Sequence, residues 1–196
     1  SVAVAGLDVE RTPSRDLART MAILRQDNHL TMRLRVRDLV AFGRFPHSGG
    51  RPTVEDKAKV DEAMAHLDLA RMADKFVDEL SGGQRQRAFI AMVLAQDTEY
   101  LLLDEPLNNL DMKHSVEMMQ LLRRLADELD KTVVLVVHDI NFASCYSDTV
   151  LAMKDGRLLH QGTPADIMQP AVLRDIYDIE IRIEEIDGNR IGVYFA

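Results

Sequence analysis

Apolar residues recur along this chain with two different spacings, which predict a series of strands and helices. Short apolar runs bounded by polar residues predict strands at 20–24, 100–103 and 132–137. Apolar residues three and four positions apart predict helices at 14–19, 36–42 and 113–129, and two more that begin after Thr53 and Ser81. The runs at 100–103 and 132–137 have no polar face, which is typical of parallel strands buried on both faces. The chain is therefore predicted to have an α/β fold.

Turn residues predict hairpins at both ends of the chain. Residues 1–9 alternate around a glycine, and the segments 148–161 and 179–195 each contain an Asp-Gly pair. Glycines and a proline predict a loop at 43–50. The last two hairpins carry no pattern of reactive side chains, so we predict a structural role for them.

The start of the helix after Ser81 carries the first chemical signal. Ser81 and Gln84 form a capping-box pattern, in which each side chain accepts a hydrogen bond from the other residue's backbone. This pattern does not explain Gly82 and Gly83, since each glycine costs a helix about 1 kcal/mol relative to alanine. A helix N-terminus with free N–H groups, no Cβ atoms and two arginines close behind is suited to binding a polyphosphate. A purely structural role for the two glycines is the alternative.

Two carboxylates follow the predicted strand 100–103. Asp104 and Glu105 end the apolar run just before Pro106, at the end where open α/β sheets bind their ligands. We expect Asp104 to hold Mg²⁺, directly or through water, and Glu105 to polarise an attacking water molecule. Carboxylate pairs also occur at ordinary strand ends. The carboxylate pair follows the glycine-containing helix start after only one helix and a short turn. Together the two motifs indicate phosphate chemistry far more specifically than either one alone.

Composition narrows the class of protein. A net charge of −8 and a pI near 5.2 argue against a broad nucleic-acid surface, which requires an excess of lysine and arginine. With 46% apolar residues the chain can bury a core. It contains no run of about 20 apolar residues and no signal-peptide pattern at its start, so we expect a soluble cytoplasmic protein. The single Cys145 can form no intramolecular disulfide, and we interpret it as a packed residue rather than a metal ligand.

The helix start after Ser81 and the strand that ends at Asp104 and Glu105 together resemble one known family. LSGGQRQRA is similar to the signature motif of ATP-binding cassette (ABC) ATPases, LLLDEP to their Walker B strand and LNNLD to the D-loop that follows. The resemblance covers essentially the whole chain and implies a P-loop NTPase core of the ABC type with a helical subdomain. It implies one ATPase domain over 1–196, with 1–27 and 80–196 in the core and the C-terminal hairpins, and 28–79 in the helical subdomain. Asn108 and Asn109 stand where the family often has small residues.

The resemblance also assigns roles to residues that the patterns leave open. Gln26, after the predicted strand 20–24, matches the Q-loop, which contacts Mg²⁺ and the attacking water. His138, after the run 132–137, matches the H-loop, whose histidine contacts the γ-phosphate; an ordinary structural histidine is the alternative. The resemblance thus implies catalytic roles for Gln26, Glu105 and His138. It implies Mg²⁺ binding by Asp104 and Gln26, and nucleotide binding by Ser81, Gly82, Gly83, Gln84 and Asp111.

One element of the family is missing from the sequence. The phosphate loop GxxxxGK[ST] supplies backbone amides and a lysine to the phosphates, but no Gly-Lys pair occurs in the 196 residues. The resemblance places this loop ahead of Ser1, so we expect an N-terminally truncated cassette that binds ATP weakly or not at all by itself. Its signature helix could still contact ATP that is held by an intact partner.

The segments DEPLNNLDMKHSVEMM and HDINFASCYSDTVLAMKDGRLLHQGTP most resemble the ATPase subunits of bacterial iron–siderophore importers. This resemblance implies ATP and Mg²⁺ as cofactors, a homodimer of ATPase subunits and transmembrane permease subunits that dock on residues 30–45. It also implies an indirect link to a periplasmic or surface siderophore-binding protein, and a peripheral location on the cytoplasmic face of the bacterial inner membrane. No nucleic-acid partner is expected.

A solvated helical hairpin is the alternative for 30–45. For the whole protein the alternatives are a soluble non-transport ABC ATPase of DNA repair or translation, and a non-catalytic interaction module.

Overall fold

The computed structural model of the protein describes residues 2–26, 28 and 30–195. Ser1, Asp27, His29 and Ala196, at or next to the ends of predicted segments, lie outside the described residues. The chain divides into two compact units, of which the first ends at Val136 and the second begins at Val137.

The first unit combines a parallel sheet with helices. Its strands are β1 (Ala3–Val4), β2 (Leu7–Asp8), β3 (Met21–Leu24), β4 (Tyr100–Asp104) and β5 (Thr132–Val136). Its helices are α1 (Ser14–Thr20), α2 (Val36–Phe42), α3 (Phe45–Ser48), α4 (Val54–His66), α5 (Gly82–Ala95) and α6 (Met112–Leu129), with short 3-10 turns at Ala70–Met72 and Val77–Glu79. The hairpin predicted at 1–9 is present as β1 and β2.

The central sheet has the order β3-β4-β5, with all three strands parallel. Parallel strands end at the same edge of a sheet, so the residues that follow β3 and β4 come out side by side. This edge positions the candidate site. On one face of the sheet the side chains of Ala22, Leu24, Leu101 and Leu103 are almost completely buried.

The prediction that 132–137 is buried on both faces is wrong. Val134 is 44% exposed and Val136 48% exposed. In β4 the same alternation appears more weakly, because Leu101 and Leu103 are buried while Leu102 is only half-buried. The apolar run predicted the strand correctly. It carried no information about which face the helices cover, because successive side chains of a strand point to opposite faces.

The predicted loop at 43–50 is also partly wrong, since it contains the one-turn helix α3. Pro46 lies in the first turn of this helix, where the missing N–H of proline removes no helical hydrogen bond. The predicted starts of α4 and α5 are confirmed. Thr53 and Asp56 form a capping box at α4, and Ser81 and Gln84 form one at α5.

The helices α2, α4 and α5 pack together around an apolar core. The contact between α2 and α5 is close: a Cβ added to Gly43 would lie 2.0 Å from the carbonyl oxygen of Met92. Beside this contact, Arg44 and Asp56 form a buried ion pair with a distance of 2.8 Å between Nε and Oδ1. A second arginine nitrogen, Nη1, donates to the carbonyl oxygen of Ala95 at the end of α5. One charged pair therefore joins the start of α4 to the end of α5.

The second unit contains α7 (Ile140–Tyr146), β6 (Val150–Lys154), β7 (Arg157–Gly162), α8 (Pro164–Ile167), α9 (Pro170–Tyr177), β8 (Arg182–Ile186) and β9 (Asn189–Val193). Both predicted hairpins are confirmed, as β6-β7 and β8-β9. Each turn has an aspartate and a glycine with positive φ, which suits a tight two-residue turn. The core of this unit consists of Ile140, Ala143, Ile167, Met168, Leu173 and Ile181. Within the described residues of both units, no helix is long and apolar enough to cross a membrane.

Candidate active site

Gln26 and Glu105 meet at the carboxyl edge of the parallel sheet. Gln26 lies two residues after β3, and Glu105 follows the last residue of β4. The side-chain amide nitrogen of Gln26 donates to Oε2 of Glu105 at 2.7 Å. Residues 79 positions apart in the sequence are thus in contact because β3 and β4 are parallel neighbours. Asp104, the last residue of β4, is exposed at the same edge.

Glu105 also accepts a hydrogen bond from Asn108, a residue to which the sequence motifs assigned no role. The backbone of Glu105 has φ 47°, a conformation that is strained for a residue with a side chain. A turn begins there, closed by a hydrogen bond of 3.1 Å from the backbone N–H of Asn108 to the carbonyl oxygen of Glu105. The side-chain amide of Asn108 donates to Oε2, the same oxygen that Gln26 contacts. The signal for Asn108 was its spacing from Glu105 across Pro106, a residue typical of the second position of a turn.

The start of α5 has the geometry of a capped helix. The hydroxyl of Ser81 accepts from the backbone N–H of Gln84 at 3.3 Å, and Oε1 of Gln84 accepts from the N–H of Ser81 at 3.2 Å. Ser81 and Gly82 are exposed. A hydroxyl that accepts one bond can still donate its own hydrogen, so this exposed helix start can bind an anion.

The two glycines of this start have different environments. A Cβ added to Gly83, which is buried, would lie 3.1 Å from Cδ2 of the His114 ring. A Cβ added to Gly82 would have no atom closer than the Asn109 carbonyl oxygen at 3.8 Å. Packing against α6 therefore explains the glycine at 83. Packing does not explain the glycine at 82, whose bare backbone is open to solvent.

The two arginines behind the helix start, Arg85 and Arg87, already have partners. Arg87 forms ion pairs of 3.4 Å with Asp68 and 3.2 Å with Glu117. Arg85 donates to the backbone carbonyl of Asn28 at 3.3 Å. Asp68 and Glu117 neutralise the charge of Arg87, so this arginine is less available to a polyphosphate than Arg85.

Asp111 begins α6 next to the start of α5. Its Oδ1 accepts from the backbone N–H of His114 at 2.9 Å and lies 2.8 Å from Nδ1 of the same residue. The backbone hydrogen bond from His114 holds the pKa of Asp111 below its usual value, and the bond to the ring adds to this effect. Because the His114 ring also lies against Gly83, the start of α5 and the end of the D-loop segment are packed together.

A magnesium ion fits the donors at this edge if phosphate and water complete its shell. Among the described residues no group of three or more His, Cys, Asp or Glu side chains could hold a metal. Mg²⁺ in phosphate-binding sites usually takes only one or two protein carboxylates, with the other positions filled by water and substrate oxygens. The exposed carboxylate of Asp104 and the amide oxygen of Gln26 are ligands of this kind.

His138 belongs to the second unit, two residues before α7. Its neighbour Asp139 caps that helix by accepting from the backbone N–H of Asn141 at 2.8 Å. The side chain of His138 is exposed. The first unit therefore brings together Gln26 with Glu105, and separately the start of α5 with Asp111, while the role of His138 stays a prediction.

Comparison with known proteins tests the resemblance. The family model "ABC transporter" matches residues 1–108. The petrobactin import ATP-binding protein YclP of Bacillus subtilis (strain 168) is 54% identical over 193 residues, which are 98% of this chain and 77% of YclP. The iron(3+)-hydroxamate import ATP-binding protein FhuC of the same organism is 40% identical over 185 residues, 93% of this chain and 69% of FhuC.

Solved structures agree with the predicted α/β fold. A putative metal-chelate type ABC transporter in an inward-facing conformation superposes with a TM-score of 0.80 at 24% identity, over 90% of this chain and 73% of the other. The cbiO1 protein of Clostridium perfringens, part of the ABC transporter complex cbiONQ, superposes with a TM-score of 0.75 at 30% identity, over 88% of this chain and 69% of the other. The predicted fold of an ABC ATPase core is thereby confirmed. A family model that matches more than half of the chain, together with a relative 54% identical over 98% of it, shows that this protein belongs to the ABC transporter family.

Proposed function

We propose that this protein is the ATP-hydrolysing subunit of an importer that takes up an iron–siderophore complex. The names of the relatives, which concern petrobactin and iron(3+)-hydroxamate import, support this substrate class. The contact between Gln26 and Glu105 at the carboxyl edge of the sheet is the observation that carries the ATPase activity. It places a carboxylate and an amide where parallel α/β sheets bind their ligands.

In the proposed mechanism, Glu105 accepts a proton from the attacking water, whose oxygen bonds to the γ-phosphorus of ATP while the bond from that phosphorus to the bridging oxygen breaks and ADP leaves. Gln26 keeps the carboxylate oriented and would offer its amide oxygen to a metal ion. Asp104 would hold Mg²⁺, which would supply positive charge to neutralise the phosphates. A hydrogen bond from His138 to the γ-phosphate rests on the family resemblance alone.

The start of α5 contacts a phosphate group in this proposal. Ser81 donates its hydroxyl hydrogen, and the N–H groups at Gly82 and Gly83 face an anion at the positive end of the helix dipole. Gln84 keeps Ser81 in position through the capping box. Asp111 fixes the adjacent start of α6. We propose that the phosphate belongs to ATP held mainly by a second ATPase subunit, so that two subunits act as a homodimer.

Residues 28–79 form the proposed helical subdomain, and the segment 30–45 the surface that receives the permease. A cavity of about 300 Å³ adjoins this segment and is lined by Leu30, Thr31, Met32, Arg33, Leu34, Val77, Asp78 and Arg85. The side chains of Met32, Phe42 and Phe45 are 61%, 50% and 61% exposed. Of these three side chains Met32 lines the cavity. A segment that carries exposed large apolar side chains suits a protein partner. In this proposal the ATPase lies at the cytoplasmic face of the inner membrane, and the siderophore-binding protein contacts only the permease.

The test is the substitution Glu105→Gln in the full-length protein. Loss of the general base should lower kcat for ATP hydrolysis by roughly 10²- to 10⁴-fold. Glu99→Gln is the matched control, because Glu99 is exposed and directly precedes β4 at its opposite end. Unchanged turnover in Glu105→Gln would refute the catalytic role.

Uptake of a labelled ferric siderophore by cells tests the transport role separately. Cells that carry Glu99→Gln should take up the label, and cells that carry Glu105→Gln should not. If ATP turnover depends on Glu105 but no ferric siderophore enters the Glu99→Gln cells, the protein is an ATPase with a different task.

A further inference from the structure

We propose that Asn108 is a positioning residue that orients the carboxylate of Glu105 for catalysis. This inference rests on the proposed role of Glu105 as the general base. It adds a second amide to the one that Gln26 supplies.

The turn after β4 places Asn108 beside the carboxylate. Pro106 occupies the second position of this turn, and the backbone N–H of Asn108 closes it on the carbonyl oxygen of Glu105 at 3.1 Å. The backbone of Glu105 is held at φ 47°. The turn brings Asn108 next to Glu105, three positions earlier, and the side-chain amide of Asn108 donates to Oε2 of Glu105.

The two amides reach the same oxygen from different parts of the chain. Gln26 comes from the segment after β3, and Asn108 from the turn after β4. A carboxylate oxygen that accepts two N–H groups is restricted in rotation, because turning the carboxylate would break both hydrogen bonds. Asn108 therefore helps to keep the carboxylate of Glu105 aimed at the position of the attacking water.

The backbone does not explain the asparagine at 108. The next residue, Asn109, has φ 61°, and asparagine is one of the few side chains that favour this left-handed conformation. Asn108 is not among the residues with positive φ, and its side chain is exposed. The hydrogen bond to Glu105 is therefore the contact that accounts for an asparagine at position 108.

The experiment measures ATP hydrolysis by the full-length protein with Asn108→Asp and Asn108→Ala. Asn108→Asp keeps the shape of the side chain, removes the donor and adds a negative charge next to Glu105. We expect kcat to fall at least about tenfold with the aspartate, as for other partners that orient a reactive group, and less with the alanine. The KM for ATP should stay within about twofold, since Asn108 acts through Glu105 and not on bound ATP. Asn189→Asp, at the start of β9, makes the same charge change and should leave kcat unaltered.

The Glu105→Gln background shows whether Asn108 acts through Glu105. There Asn108→Asp should lower the residual turnover by less than about twofold, because the carboxylate that it repels is gone. The inference is overturned if both Asn108 variants keep kcat within twofold of the wild type, if KM changes in place of kcat, or if the loss is equally large in the Glu105→Gln background. If Asn108→Asp lowers the melting temperature of the protein, the kcat of Asn108→Ala is the measurement that tests the inference. If Glu105→Gln itself retains full turnover, the catalytic role of Glu105 in the proposed function is refuted, whatever the Asn108 variants show.

Discussion

Removal of one partner of the buried pair between Arg44 and Asp56 should strongly destabilise the protein. Both side chains are about 95% buried, and Asp56 also accepts two hydrogen bonds of 2.8 Å from the backbone N–H and the hydroxyl of Thr53. Asp56→Ala leaves the guanidinium of Arg44 buried without its carboxylate and removes half of the capping box of α4. Loss of one partner of a buried ion pair costs about 3–5 kcal/mol. We therefore expect a decrease of this size in the free energy of unfolding.

The matched control is Asp61→Ala on the same helix. Asp61 also forms a salt bridge with an arginine, Arg37, but both side chains are about half exposed. Exposed pairs contribute about 0–1 kcal/mol, since water screens the charges. Urea unfolding followed by circular dichroism compares the two variants. Equal destabilisation by Asp56→Ala and Asp61→Ala would refute the argument from burial.

The pH dependence of the free energy of unfolding gives a second test of the pair between Arg44 and Asp56. The pKa of Asp56 is lowered from 3.8 to about 2, mainly by the hydrogen bond from the Thr53 backbone and next by the bond from Arg44. A lowered pKa in the folded state stabilises the protein above the unfolded pKa, and this contribution is lost as the pH falls through the folded pKa. The contribution is roughly 2 kcal/mol and should disappear between about pH 4 and pH 2. The difference between wild type and Asp56→Ala should narrow over this range, and a constant difference would contradict the assignment.

Two further substitutions test neighbouring contacts. Gly43→Ala should lower the free energy of unfolding by about 2 kcal/mol or more, because its Cβ would lie 2.0 Å from a backbone oxygen of Met92; an unchanged urea midpoint would show that α2 and α5 can separate freely. Arg87→Ala should change stability by less than about 1 kcal/mol and leave the KM for ATP unaltered, because Asp68 and Glu117 already neutralise this arginine. A large rise in KM after Arg87→Ala would mean that the arginine leaves these carboxylates to bind nucleotide.

The contact of His114 with Gly83 has a consequence for the proposed dimer. The same histidine bonds to Asp111 at the start of α6, so a separation of the two helix starts would break its contact with Gly83. In the proposed function these two helix starts approach the second subunit.

The local sequence determined most of the individual elements. Capping residues, turn glycines and hydrophobic spacing act within a few positions, so they predicted the starts of α4 and α5 and the hairpins β6-β7 and β8-β9. The motif around Ser81 and the Asp104-Glu105 pair identified the family for the same reason, since each lies in one short segment. These features need no knowledge of distant parts of the chain.

Tertiary structure decided which of these features touch each other and what each one does. Only the parallel pairing of β3 with β4 brings Gln26 to Glu105. The local turn after β4 already places Asn108 on this carboxylate oxygen, and the sheet adds Gln26 to it. Glu117, one partner of Arg87, and the ring against Gly83 come from α6, and the other partner, Asp68, follows α4; the residues around the signature motif reveal none of these contacts. Burial of β5 was mispredicted because apolar composition shows that a strand can be covered, whereas the packed helices determine which face is covered. Contacts of this kind depend on the relative placement of whole elements, and no short stretch of the sequence contains that information.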